Sequence, residues 1–276
     1  MIPFDFEYYR PSSIKEALET YQQLESDGKQ TMFISGGTEF ITFARTSDLY
    51  ADAIIDLKGI PECSCLEQKN NQLVIGTAVT LNRITESKIF PLLGEKVKGI
   101  ADHTSRNKIT IGGNVQSQLI YKEAVLPLIL AEAKVKIAGK EQLVPLEALI
   151  GKPLTLKPKN FLIQFQISSE YAQAPFVSLK KTRFSKVGYP LVSLAAMKEK
   201  GKLRLAISGV CETPFRAQHI EEILNDSGHS VEEKIDQAIE QLPAPVVEDY
   251  LASASYRIFL LKNTLQEMME TMELIK

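Results

Sequence analysis

Two adjacent-glycine pairs, Gly36-Gly37 and Gly112-Gly113, constrain this chain more than any other feature of its sequence. Each is framed by hydroxyl, acidic or amide residues, in Ser35-Gly36-Gly37-Thr38-Glu39 and in Thr110-Ile111-Gly112-Gly113-Asn114. A glycine pair has no Cβ atoms, so it permits a sharp turn, or the close approach of backbone N–H groups to a phosphate. Two such segments are enough to hold the two phosphates of a dinucleotide. Taken singly, each is also an ordinary tight turn. The chain has no Gly-x-Gly-x-x-Gly and no Gly-Lys-Ser/Thr, so a dinucleotide bound here requires an architecture other than a Rossmann or Walker site.

The flanking sequence places both pairs after apolar runs. Ser12 to Leu24 carries Ile14, Ala17, Leu18, Tyr21 and Leu24 at helical spacing, with Ser12 or Ser13 as cap. Gln30–Ile34 reads as a buried strand running into the first glycine pair, and Ala53–Leu57 as a strand able to pair with it. Further strands are expected at Gln72–Gly76, Lys134–Gly139 and Phe161–Ile167. Pro91–Ile100 reads as a helix, and Glu123–Ala133 as a buried helix with Pro127 near its beginning. The second glycine pair is expected as a bend after a strand, and the chain is expected to finish in a helix from roughly Glu248.

Composition removes several functions. With 44% hydrophobic and 24% charged residues over 276 positions, the chain is of ordinary globular type. A net charge of −2 gives no general attraction to nucleic acid or to an anionic membrane. No apolar run is long enough to span a bilayer, and Met1-Ile2-Pro3-Phe4-Asp5 lacks an export signal, so a cytoplasmic location is expected. Cys63, Cys65 and Cys211 are an odd set that reads as free thiols, and the histidines His103, His219 and His229 are scattered; no metal site is expected.

Charge changes along the chain. Phe176 to Arg204 holds eight basic residues against one acidic, and Ile220 to Lys276 twelve acidic against four basic. This shift marks the expected domain boundary near residue 170. The asymmetric faces are either simply solvated or form an assembly surface.

The ordered motifs resemble one family. Phe4, Phe6, Pro11, Ser12 or Ser13 and Glu16-Ala17 open it, followed by Ile34–Glu39, Ile55-Asp56-Leu57 and Leu73–Thr77. Arg106-Asn107, Thr110–Asn114 and Tyr189-Pro190-Leu191-Val192 complete it. Nearly the whole chain is thereby similar to the FAD-binding subunits of molybdenum hydroxylases, which include xanthine dehydrogenase and carbon monoxide dehydrogenase.

That resemblance implies an α+β fold: a two-subdomain FAD-binding domain over 1–170, with subdomains of about 1–60 and 61–170. A smaller C-terminal α+β domain over 171–276 would follow, with an antiparallel sheet and helices. It implies FAD held at Ile34, Ser35, Gly36, Gly37, Thr38 and Glu39, then at Thr110, Gly113 and Asn114. Ile100 and Ala101 would lie against the cofactor. Glu123, nine positions beyond Asn114, would meet its ribose or adenine side, and Lys180 would lie near the flavin. No side chain of this chain is assigned a catalytic role, because the flavin itself stores the electrons. Partners implied are a molybdopterin-binding large subunit and a 2Fe-2S small subunit, with NAD as electron acceptor and xanthine or hypoxanthine as the substrate of the complex. Carbon monoxide, an aldehyde or an N-heterocycle are alternative substrates. An independent flavin oxidase and a non-catalytic assembly module remain as rivals.

Three departures stand out. Ile109 replaces the family's glycine before Thr-Ile-Gly-Gly-Asn, and Gln118–Tyr121 replaces a Ser/Asp-Pro step. The four inserted cysteines with which some members bind an extra cluster are missing.

Overall fold

The computed structural model describes residues 2–46, 48–151 and 159–275; Met1 and Lys276, at the ends of the two expected domains, lie outside them. Among the described residues three sheets follow one another along the chain. The first is parallel, ordered β1-β3-β2, from β1 (Glu7–Tyr9), β2 (Thr31–Ile34) and β3 (Ala53–Asp56). Every residue of β3 is buried, which is why it reads as a continuous apolar run: both faces are covered. Ala53 and Ile55 pack with Ala17, Tyr21 and Leu24 of the helix Ile14–Ser26. Ile54, pointing the other way, packs with Phe40 and Ala44 of the helix Thr38–Arg45. Ser13 caps the first of these helices by accepting from the Glu16 N–H.

The second sheet is antiparallel, ordered β4-β5-β8-β6-β7. Its strands are β4 (Leu66–Lys69), β5 (Gln72–Gly76), β6 (Lys134–Ile137), β7 (Val144–Pro145) and β8 (Leu162–Ser168). Strand β4 has no counterpart in the sequence reading. It is joined to β5 by Asn70 and Asn71, both at positive φ (50° and 60°), the backbone that a two-residue hairpin needs. Against this sheet lies the largest core, which includes the helix Val125–Leu130, buried at every position with Pro127 in its first turn.

The third sheet is antiparallel, ordered β12-β11-β10-β9, from β9 (Phe176–Thr182), β10 (Pro190–Glu199), β11 (Lys202–Ser208) and β12 (Phe215–Arg216). Strand β10 is buried on both sides. Leu194 and Ala196 pack with Leu261, Leu265 and Met268 of the helix Ala254–Leu274, whereas Ala195 and Met197 join the core of the second sheet. The last sheet is thus joined to the middle of the molecule through apolar side chains.

Two expectations are corrected. The terminal helix starts at Ala254, because Asp249 turns the preceding segment by accepting from the Leu251 and Ala252 N–H groups and from buried Arg257. Ile111-Gly112-Gly113-Asn114 is not a bend after a strand: it opens the short helix Ile111–Gln116, with Thr110 as N-cap. Among the described residues no helix is long and apolar enough to cross a membrane.

Candidate functional site

The two glycine segments, far apart in sequence, touch. Strand β2 ends at Ile34, the chain bends through Ser35-Gly36, and Gly37 adopts left-handed backbone (φ 75°) as N-cap of Thr38–Arg45. The Ser35 and Thr110 hydroxyls lie 2.7 Å apart. A Cβ on Gly36 would stand 2.6 Å from the Lys108 carbonyl oxygen, so only glycine lets the first segment lie so close to the second. Lys58, ion-paired to Asp56 at 2.8 Å, donates to the Ser35 carbonyl (3.1 Å) and fixes that peptide. Glu39 accepts from the Gln118 N–H (2.9 Å), tying the two segments again further on.

A cavity of about 600 Å³ opens where they meet. Ile34, Ser35, Gly36, Gly37, Thr38 and Glu39 line one side of it, and Thr110, Gly113 and Asn114 another. Ile100, Ala101, Glu123 and Lys180 also line it, so the structure brings to one space every residue that the resemblance places at the cofactor. Ala101 is held at a φ of 50°, unfavourable for a residue with a Cβ. Arg106 stabilises this conformation: its Nη1 donates to the carbonyls of Lys98, Ile100 and Ala101 (2.9, 3.2 and 2.6 Å), and its Nε to Asn82 Oδ1 (3.0 Å). Asn114 Oδ1 accepts from the Ala124 N–H (3.1 Å), which draws the neighbouring Glu123 into the wall.

Glu123 and Lys180, both largely buried, form an ion pair at 2.8 Å. Lys180 also donates to the Gly99 carbonyl (2.8 Å), next to Ile100. Behind this pair lies Lys96, 2% exposed, whose ammonium burial pushes down to about 8. The sequence reading missed it, because Glu95-Lys96-Val97-Lys98 looks like any solvated helix segment. It also missed Tyr121, stacked on Tyr189 at 4.7 Å between ring centroids, although Tyr189 begins the last quoted motif. Phe40, Phe43 and Leu49 give the cavity an apolar region of their own.

Among the described residues no cluster of three or more His, Cys, Asp or Glu side chains is placed to hold a metal. The cysteines are free, and burial pushes the Cys63 thiol up to about 12, so it is inert. Cys63 lies in the one-turn helix Pro61–Ser64.

The residues present fit FAD. The cavity has the volume of a ligand pocket. The helix Thr38–Arg45 has no side-chain cap, so its first N–H groups are available to a phosphate. Aromatic and aliphatic side chains offer flat surfaces for rings. Residues 4–168 match the family described as the FAD binding domain in molybdopterin dehydrogenase. The chain belongs to that family. As a member of this FAD-binding family it is 27% identical over 231 residues to the carbon monoxide dehydrogenase medium chain of Hydrogenophaga pseudoflava, covering 79% of each chain. It is 28% identical to the glyceraldehyde dehydrogenase medium chain of Sulfolobus acidocaldarius, covering 80% of this chain and 81% of that one. It is 24% identical to the xanthine dehydrogenase FAD-binding subunit of Escherichia coli O157:H7, covering 94% of each. The same family fold recurs in the carbon monoxide dehydrogenase structure from Hydrogenophaga pseudoflava, with a TM-score of 0.86 at 24% identity over 98% of both chains. In quinoline 2-oxidoreductase from Pseudomonas putida 86 the TM-score is 0.84 at 22% identity, over 97% of this chain and 96% of that one.

Proposed function

We propose that this chain is the electron-transfer subunit of a multi-subunit molybdenum hydroxylase of the xanthine dehydrogenase type, acting in purine catabolism in the cytoplasm. Its partners would be a molybdopterin-binding large subunit and a small subunit with 2Fe-2S centres, and its electrons would leave to NAD. The observation that carries the flavin role is the contact of the two glycine segments at the edge of one cavity. The match to the xanthine dehydrogenase subunit of Escherichia coli O157:H7 over 94% of both chains supports the xanthine assignment.

When bound, FAD takes up electrons and passes them on, and the protein contributes orientation, potential and access. Gly36, Gly37 and the first turn of Thr38–Arg45 would receive the diphosphate, with Gly113 opposite. The Arg106 clamp would hold Ile100 and Ala101 against the cofactor, and Lys180 would place a cation near the flavin. Residues 1–170 would form the FAD-binding domain, in two subdomains, and 171–276 a C-terminal domain that closes the cavity with Lys180 and Tyr189.

The experiment is to purify the chain alone and again with its partners. The lone chain is expected to turn yellow with added FAD and to show no xanthine oxidation until the partners are present. Xanthine oxidation by the isolated chain would refute this division of labour. In the complex, bleaching of the flavin by xanthine and by NADH is expected. The breadth of names among the relatives favours a second reading, in which the flavin role is kept and the large subunit takes carbon monoxide, an aldehyde or an N-heterocycle. Bleaching by one of those donors and not by xanthine would select it.

A further inference from the structure

Lys96 points away from solvent, out of the helix Pro91–Lys98 and into the pairing of β9 with β10. Its ammonium donates to the Leu179 and Leu194 carbonyls (3.0 and 2.6 Å) and to Ser193 Oγ (3.2 Å), so all three of its protons are used. Ser193 passes the connection on, donating to Glu123 Oε1 at 2.8 Å. The other oxygen, Glu123 Oε2, accepts from Lys180. Ser193 and Lys180 are direct cross-strand partners, so both side chains stand on one face of the sheet under the same carboxylate. Hydrogen bonds therefore run unbroken from a buried cation to two residues that line the cavity.

Lys180, paired directly with Glu123, and Lys96, linked to it through Ser193, together carry about one positive charge more than that carboxylate, in a region largely shielded from water. Glu95 on the same helix is solvent-exposed and offsets this charge only weakly. A buried lysine is costly, and a methionine of similar length would fill the space without the desolvation penalty.

Resting on the FAD reading above, we propose that Lys96 is a positioning residue for the flavin. Through Ser193 it fixes the Glu123–Lys180 pair in the cavity wall, and its charge makes that wall favour the electron-rich, reduced cofactor over the oxidised one.

The test uses the full chain, with FAD as the probe, in the wild type and in Lys96→Met and Ser193→Ala. FAD affinity is measured by titration, and the potential of the bound flavin by spectroelectrochemistry. In Lys96→Met the affinity for reduced relative to oxidised FAD is expected to fall about tenfold, equivalent to about 30 mV for a two-electron couple. Ser193→Ala keeps both charges and cuts the connection, so FAD affinity is expected to fall about threefold with that ratio nearly kept. A purely structural lysine would weaken both oxidation states alike, and an unchanged ratio in folded Lys96→Met overturns the proposal. Should Lys96→Met not fold, Ser193→Ala decides, and wild-type FAD affinity in that variant overturns it. Failure of the wild-type chain to take up FAD is a different result, and removes the underlying reading together with this one.

Discussion

In the first glycine segment the pair follows a strand, and its second member, Gly37, sits at a φ of 75° with only Ile34 Cδ1 near its missing Cβ. In the second segment the pair lies inside a helix, and its first member, Gly112, is so close to the end of β5 that a Cβ would stand 1.6 Å from Thr77 Oγ1. The difference assigns two roles within each pair. Gly36 and Gly112 permit backbone to meet backbone, the former against Lys108 and the latter against Thr77. Gly37 and Gly113 leave room in the cavity. Two similar motifs thus reach one end by different means, a left-handed turn in one case and a threonine-capped helix in the other.

Alanine substitutions separate these roles. Gly112→Ala should cost the most stability, about 3 kcal/mol, since the new methyl group also lies 2.7 Å from the Thr77 carbonyl oxygen and the backbone must shift. Urea unfolding measures it, and a loss under about 1 kcal/mol would contradict the close-packing role. Gly36→Ala should cost about 2 kcal/mol and also release FAD, because the clash with Lys108 O drives the two segments apart. A variant that keeps the flavin's yellow colour would show that their contact is dispensable. Gly37→Ala should cost about 1 kcal/mol, the strain of a left-handed alanine. An unchanged unfolding midpoint would mean that the turn relaxes. Gly113→Ala should change stability by only about 0.5 kcal/mol, since helix propensity offsets a 3.2 Å contact with Thr110 Oγ1. Its FAD affinity should nevertheless fall about tenfold by titration. If its stability fell as far as that of Gly112→Ala, the distinction within the second pair would be lost.

What could be read beforehand follows from whether the information is local. Hydrophobic period and capping residues were enough for Ile14–Ser26 and for the buried β3, whereas Glu123 and Lys180 were tied to the glycine segments only through the family resemblance that the ordered motifs carry. Gly112-Gly113 was misread as a bend because glycine lowers helix propensity, whereas the Thr110 cap and the Thr77 contact override it. Lys96 and Ser193 were invisible for another reason. Nothing beside a lysine in sequence says that a strand more than eighty residues later will cover it. The Tyr121–Tyr189 stack was hidden likewise, each ring belonging to a different part of the chain.

The apolar seam along β10 has a consequence for inheritance. The matched family segment ends at residue 168, yet Lys180 and Ser193 come after it, on the sheet whose inner strands β10 and β11 are shared between two cores, and Tyr189 lies just before β10. Exchanging the last third of the chain with that of a relative would therefore not swap a passive appendage. It would give the cavity a foreign wall and reset the electrostatics there, so exchanging this region calls for matching changes in the segment that carries the glycines.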